Sequence, residues 1–144
     1  VNVSFLDEVA ARTPAPGGGA VAAMTAASAA ALVSMAARFS SAPEVAEAGD
    51  SLRARLVALA AADAAAYTEV LSTRGAARQE ALRRATEVPR EIASVSSEVA
   101  GLAGRLAAEG NPRLHGDARV AELIAGAAAT AAGVLVDINT AEQP

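Results

Sequence analysis

Thr13-Pro14-Ala15-Pro16-Gly17-Gly18-Gly19 runs directly into Ala20-Val21-Ala22-Ala23-Met24 and on through an Ala-rich stretch to Phe39. Each proline fixes its own φ and turns the residue before it away from helix, so the approach is extended. The three glycines then permit backbone angles that side chains would forbid. Beyond them come helix-favouring Ala, Met and Leu, with no charge before Arg38. The stretch therefore predicts a bare loop that delivers unpaired backbone N–H groups at the start of a long helix. Such a terminus suits an anion or a carbonyl oxygen. The same glycines would equally serve to let one helix pack closely on another.

A chain of 144 residues is one domain, read here as a single helical unit over 1–144. It is 53% hydrophobic but only 2% aromatic, so its core must be built from small side chains on closely approaching helices. Every basic residue is Arg, the net charge is -4, and no basic block exists to form a nucleic-acid surface. Without cysteine there is no disulfide, thiol nucleophile or thiolate metal site, and the lone His115 argues against a histidine-based metal centre. The uncharged run from Thr13 to Ala37 is long enough to raise a membrane span. Ala, Ser, Thr and Gly supply little transfer free energy, however, and Pro14 and Pro16 break its first part. Asp7 and Glu8 sit where a signal peptide needs positive charge. A buried helix in a cytoplasmic protein is expected.

Taken in order, Ser4 with Asp7 three residues on forms a capping-box pattern for a short first helix that Thr13-Pro14 ends. The second helix spans about Gly19 to Ser40 and is small on nearly every face, as suits the centre of a bundle or a subunit interface. Ser41-Ala42-Pro43-Glu44 is a second capping signature, and the third helix should stop near Gly75. Leu52, Leu56, Leu59, Ala66 and Val70 make its apolar stripe. Asp63 stands on that stripe, one turn before Tyr67. An acid facing a core costs several kcal/mol, of the order known for buried polar groups, unless it is paired or its pKa moves. Asp63 is therefore a candidate for acid–base work, or else an edge residue or the partner of an Arg. Arg78 to Arg84 reads as a short solvated helix, which Val88-Pro89 either interrupts or follows as the start of the next. Ile92, Val95, Val99, Leu102 and Leu106 then form a narrow seam up to the stop at Gly110-Asn111-Pro112. Asp117 is placed to cap a last helix running through Val120 and Ile124 to Asn139, with Asp137 set against the dipole.

No strand pattern, repeat or linker appears, so an all-α antiparallel bundle of about six helices is predicted. Gly17-Gly18-Gly19-Ala20-Val21-Ala22 satisfies a loose dinucleotide fingerprint, but no strand precedes it.

Pro16-Gly17-Gly18-Gly19 before a small-residue helix resembles the opening of the formimidoyltetrahydrofolate cyclodeaminase and methenyltetrahydrofolate cyclohydrolase family. So do Phe5-Leu6-Asp7-Glu8-Val9-Ala10, Ser34-Met35-Ala36-Ala37-Arg38 and Asp63-Ala64-Ala65-Ala66-Tyr67. Further along, the same holds for Ala81-Leu82-Arg83-Arg84-Ala85 through Val88-Pro89, Gly110-Asn111 followed by Asp117, and Val136, Ile138 and Asn139. The likeness covers nearly the whole chain. It implies an all-helical homodimer acting on one-carbon tetrahydrofolates with no metal or redox cofactor. One such activity closes the formimidoyl adduct and releases ammonia; the other opens the methenyl ring with water. By this resemblance Asp63 would be the acid–base group, and Pro16, Gly17, Gly18 and Gly19 would hold the pterin or the reacting carbon's oxygen. Asn111, Asp117 and Asn139 would bind the pterin ring, and Arg38 would meet a folate carboxylate.

Three departures set the rival readings. Ala61 stands where the family often carries a second acid, Leu135 replaces the first Asn of its closing motif, and the family extends past this C-terminus with further helix. A folate-binding but inactive relative, and a non-catalytic helical oligomerisation domain, are the alternatives to an enzyme.

Overall fold

Helix α2 (Gly18–Phe39) is the axis on which the other helices are hung, because it touches all three of the remaining long ones. The computed structural model describes residues 3–141. It contains α1 (Val3–Ala10), α2, α3 (Pro43–Ser72), α4 (Gly75–Glu109) and α5 (His115–Ala141), with one 3-10 turn, Pro112–Leu114, between the last two. Among the described residues there is no strand, and five α-helices replace the six or so expected.

The long helices run up, down, up and down. α2 packs on α3 and α5, α4 packs on α3 and α5, and α2 meets α4 across the centre. That diagonal contact is possible because α2 presents Ala23, Ala26, Ala30, Val33 and Ala37, all essentially inaccessible, where larger side chains would hold the axes apart. Bulk comes instead from Leu56 on α3 and from Ile92, Val95 and Val99 on α4. Each such side chain contributes about 1.5–3 kcal/mol on burial. The exposed ion pairs that bridge helices, Arg38–Asp50, Arg55–Glu91 and Arg84–Glu69, add at most about 1 kcal/mol each. Small-residue packing, not charge, holds this bundle.

Helix α3 comes close against α2 at Gly49. A Cβ there would lie 2.6 Å from Ser34 Oγ, 3.1 Å from Ser34 N and 3.2 Å from Ala30 O. Two of those atoms are α2 backbone and cannot swing aside. Gly49→Ala is therefore expected to destabilise the fold by about 1–3 kcal/mol, the usual cost of overpacking. Urea unfolding would measure this, and an unchanged midpoint would mean the helices separate freely.

Several local expectations are corrected. Ser4 does not cap α1; it lies inside the helix and its hydroxyl donates to Glu8 Oε1 at 3.0 Å. Ala42, not Ser41, is the N-cap of α3, with Pro43 in the first turn as expected, while Ser41 takes a positive φ of 53°. Gly75 does not stop α3, which ends at Ser72; it opens α4 with φ of 59°. The charged segment from Arg78 and the apolar seam from Ile92 form one helix, and Pro89 sits buried inside it. Asp117 lies within the first turn of α5, past its start at His115, where it favours the helix dipole without capping.

Candidate active site

The start of α2 has no local cap. Gly17 holds the N-cap position in an extended conformation and has no side chain to offer. The missing acceptor comes from α3: Asp63 Oδ2 accepts the Ala20 N–H at 3.0 Å. A carboxylate at a helix N-terminus is favoured by the aligned peptide dipoles as well as by the hydrogen bond. Gly19 makes the approach possible. A Cβ on it would fall 2.1–2.5 Å from the Asp63 carboxyl atoms, so the carboxylate occupies the space a side chain would need. Gly17 and Gly18, by contrast, would meet nothing within 4 Å. These two glycines are not packing devices within this chain.

Asp63 is half-buried, and burial pushes its carboxyl above the ordinary carboxylate value, with the Ala20 N–H opposing that shift. Only one of its oxygens is engaged by Ala20. Among the described residues, the N–H groups of Gly18 and Gly19 meet no acceptor. A raised carboxyl and two free amide donors thus lie together, the combination needed to move a proton and to stabilise an oxygen that becomes negative.

They share a cavity of about 260 Å³, walled also by Pro14, Ala15, Ala64, Tyr67, Ala85, Leu135 and Asn139. The Ala15–Pro16 peptide bond is cis. Pro16 lines an adjoining groove along α3 with Thr68, Glu69 and Ser72, joined to the cavity through Ala15 and Ala64. Of the residues singled out in the sequence, the structure thus brings Asp63, Gly17, Gly18, Gly19 and Asn139 into one cavity, with Pro16 beside it.

Arg38, Asn111 and Asp117 lie elsewhere. They stand at the far end of α2, roughly 28 Å away at 1.5 Å per residue. Arg38 bonds Asp50 on α3. Asn111 staples two helix ends: its N–H donates to Ser40 Oγ at 2.9 Å, its Nδ2 to Phe39 O at 3.0 Å, and its Oδ1 accepts from Arg113 N. Within one chain these three do not touch the Asp63 cavity. Tyr67 and Leu135 do line it and had no assigned part; Tyr67 was visible one turn past Asp63 on the same helix face. Ala61 is exposed and does not line the cavity.

Comparison with known proteins identifies the family. The sequence pattern of the formiminotransferase-cyclodeaminase family matches residues 3–143. A methenyltetrahydrofolate cyclohydrolase of Methylorubrum extorquens is 36% identical, the alignment covering 94% of this chain and 77% of that protein. The crystal structure of formiminotetrahydrofolate cyclodeaminase from Thermotoga maritima superposes with a TM-score of 0.94 at 32% identity, covering 99% of this chain and 79% of the other. With its fold matched end to end, this chain belongs to the formiminotransferase-cyclodeaminase family.

Proposed function

We propose that the chain is a cytoplasmic enzyme of one-carbon tetrahydrofolate metabolism. It hydrolytically opens the methenyl form or closes the formimidoyl form with loss of ammonia, using no metal or redox cofactor. The observation that carries this reading is the Asp63 carboxylate set against the glycine-built start of α2 in one cavity. In ring opening, water adds to the carbon between the two ring nitrogens as Asp63 takes one of its protons. The tetrahedral adduct's oxygen is stabilised by the Gly18 and Gly19 amides. Collapse breaks one carbon–nitrogen bond as the adduct's hydroxyl gives its proton to solvent and becomes the formyl carbonyl, and Asp63 returns the first proton to the departing nitrogen. Closure of the formimidoyl adduct uses the same parts: the second nitrogen attacks the carbon, and Asp63 relays a proton to the leaving ammonia.

A homodimer belongs to the same proposal. A cavity of about 260 Å³ is smaller than the roughly 300–1,000 Å³ of small-molecule sites, which fits a site that one copy only partly encloses. Helix α5 supplies a surface for a second copy. Val120, Leu123, Val134 and Ile138 are 48–61% exposed and repeat at bundle spacing, with exposed Ala127 and Ala131 between them.

The test is absorbance-followed turnover of methenyltetrahydrofolate, with an enzyme-free control subtracted, and ammonia release from the formimidoyl form. Activity on either supports the enzyme. Folate binding without turnover would give the inactive-relative reading, and no binding the oligomerisation domain. Sedimentation should show a dimer at micromolar concentration that Leu123→Glu splits; a stable monomer before substitution would remove the dimer.

A further inference from the structure

In a helix interior the N–H of residue 89 should bond the carbonyl of Ala85, and proline has no N–H to give. α4 nevertheless continues through Pro89. The freed acceptor is not left empty. Asn139 Nδ2, from the last turn of α5, donates to Ala85 O at 2.9 Å. A carbonyl only accepts, so the Asn139 carboxamide must turn its NH₂ toward α4.

Among the described residues, this bond lies where α5 buries none of its side chains. The buried residues of α5 end at Ala132. Beyond that point Leu135, Val136 and Asn139 are half-buried, and Val134, Asp137, Ile138 and Thr140 are exposed. Thr140 bonds only its own helix, at Val136 O. Among the described residues past Ala132, Asn139 alone makes a side-chain hydrogen bond to another helix. Yet this loosely packed segment provides Leu135 and Asn139 to the Asp63 cavity, beside Ala85 itself.

We infer that Asn139 is a positioning residue whose Nδ2–H stands in for the amide Pro89 lacks, fixing against α4 the cavity wall made by Leu135, Asn139 and Ala85. The sequence resemblance would instead have Asn139 bind ligand directly, and the two roles separate experimentally. The structural half is independent of what the cavity binds; its effect on turnover rests on the folate reading.

The experiment is a double-mutant cycle on the full chain with two readouts. Hydrogen exchange of the amides in 135–141 needs no ligand. Asn139→Ala should speed it roughly five- to tenfold, the scale of one hydrogen bond. Pro89→Ala restores an in-helix donor for Ala85 O, so adding Asn139→Ala to Pro89→Ala should change exchange by less than about twofold. In turnover, Asn139→Ala should raise KM several-fold with kcat nearly kept, because Asp63 sits on another helix, and Pro89→Ala should rescue most of that rise. An effect of equal size in both backgrounds would overturn the inference in favour of direct contact. Should Pro89→Ala fail to fold, Asn139→Asp decides. It keeps the acceptor and shape but loses the donor, so it must behave like Asn139→Ala; native exchange and native KM would overturn the inference. A chain without turnover would sink the folate reading and leave the exchange cycle to decide this one.

Discussion

Asp63→Asn is expected to lower methenyl-ring opening by at least about 10²-fold, and up to about 10⁴-fold, while tetrahydrofolate binding persists. Asparagine keeps the length and planarity of the side chain. Its Oδ1 can still accept the Ala20 N–H that Asp63 Oδ2 accepts now. It cannot take up and return a proton. The substitution therefore leaves the cap of α2 in place and removes only the chemistry. Rate loss with binding retained would assign Asp63 the acid–base role. An active protein indifferent to the change would make Asp63 a tertiary cap and nothing more.

Stability gives an independent check, with a sign fixed by the carboxyl's environment. Burial raises the folded-state pKa of Asp63 above its unfolded value. Between those two values the native state binds more protons than the unfolded chain, so this group's contribution to stability falls as pH rises through the window. Above the folded-state pKa the loss is complete. Asparagine has no proton to lose, so the substituted protein should match the parent at low pH and be at least as stable at neutral pH. Ring opening, which needs the ionised carboxylate, should rise with pH through the same raised value.

How far the sequence was legible depends on how far apart the partners lie. The bounds of α2 were readable to within a residue because Pro, Gly and an uncharged Ala run are local signals. Asp63 was legible as a residue of the core-facing stripe because Leu56, Leu59 and Val70 set it, and it is half-buried in the fold. What it does for α2 was not readable, because the cap lies 43 residues from the amide it accepts. The continuity of α4 was hidden for the same reason. Proline ends helices when the carbonyl it strands has no other donor, and here that donor lies 54 residues beyond Ala85. Gly75 was read as a stop since positive φ after a helix is the common use of glycine, but Thr73 and Arg74 come first and the turn belongs to the next helix. Arg38, Asn111 and Asp117 were grouped with Asp63 by resemblance. No local pattern shows that α2 separates them, since order along a chain says nothing about which end of a bundle a loop occupies.

Gly19→Ala is expected to cost nearly as much activity as Asp63→Asn, at least about 10²-fold, although it adds only one methyl group. The new Cβ would stand 2.1 Å from Asp63 Oδ1 and 2.4 Å from its Cγ, closer than any real contact. Backbone on both sides is held in long helices, so the flexible carboxylate must move. Its displacement breaks the bond to Ala20 and takes the acid–base group away from the Gly18 and Gly19 amides. Fold stability should fall by only about 1 kcal/mol, the scale of a lost cap, because the carboxylate gains water as it swings out. Gly18→Ala is the control: nothing lies within 4 Å of its Cβ, so Asp63 stays where it is and the fold is undisturbed. The decisive measurement is the double substitution. If Gly19→Ala acts only by displacing Asp63, then Gly19→Ala with Asp63→Asn should be no slower than the slower single variant, since both remove the same interaction. Losses that multiply would instead mean that Gly19 serves the reaction through its own backbone.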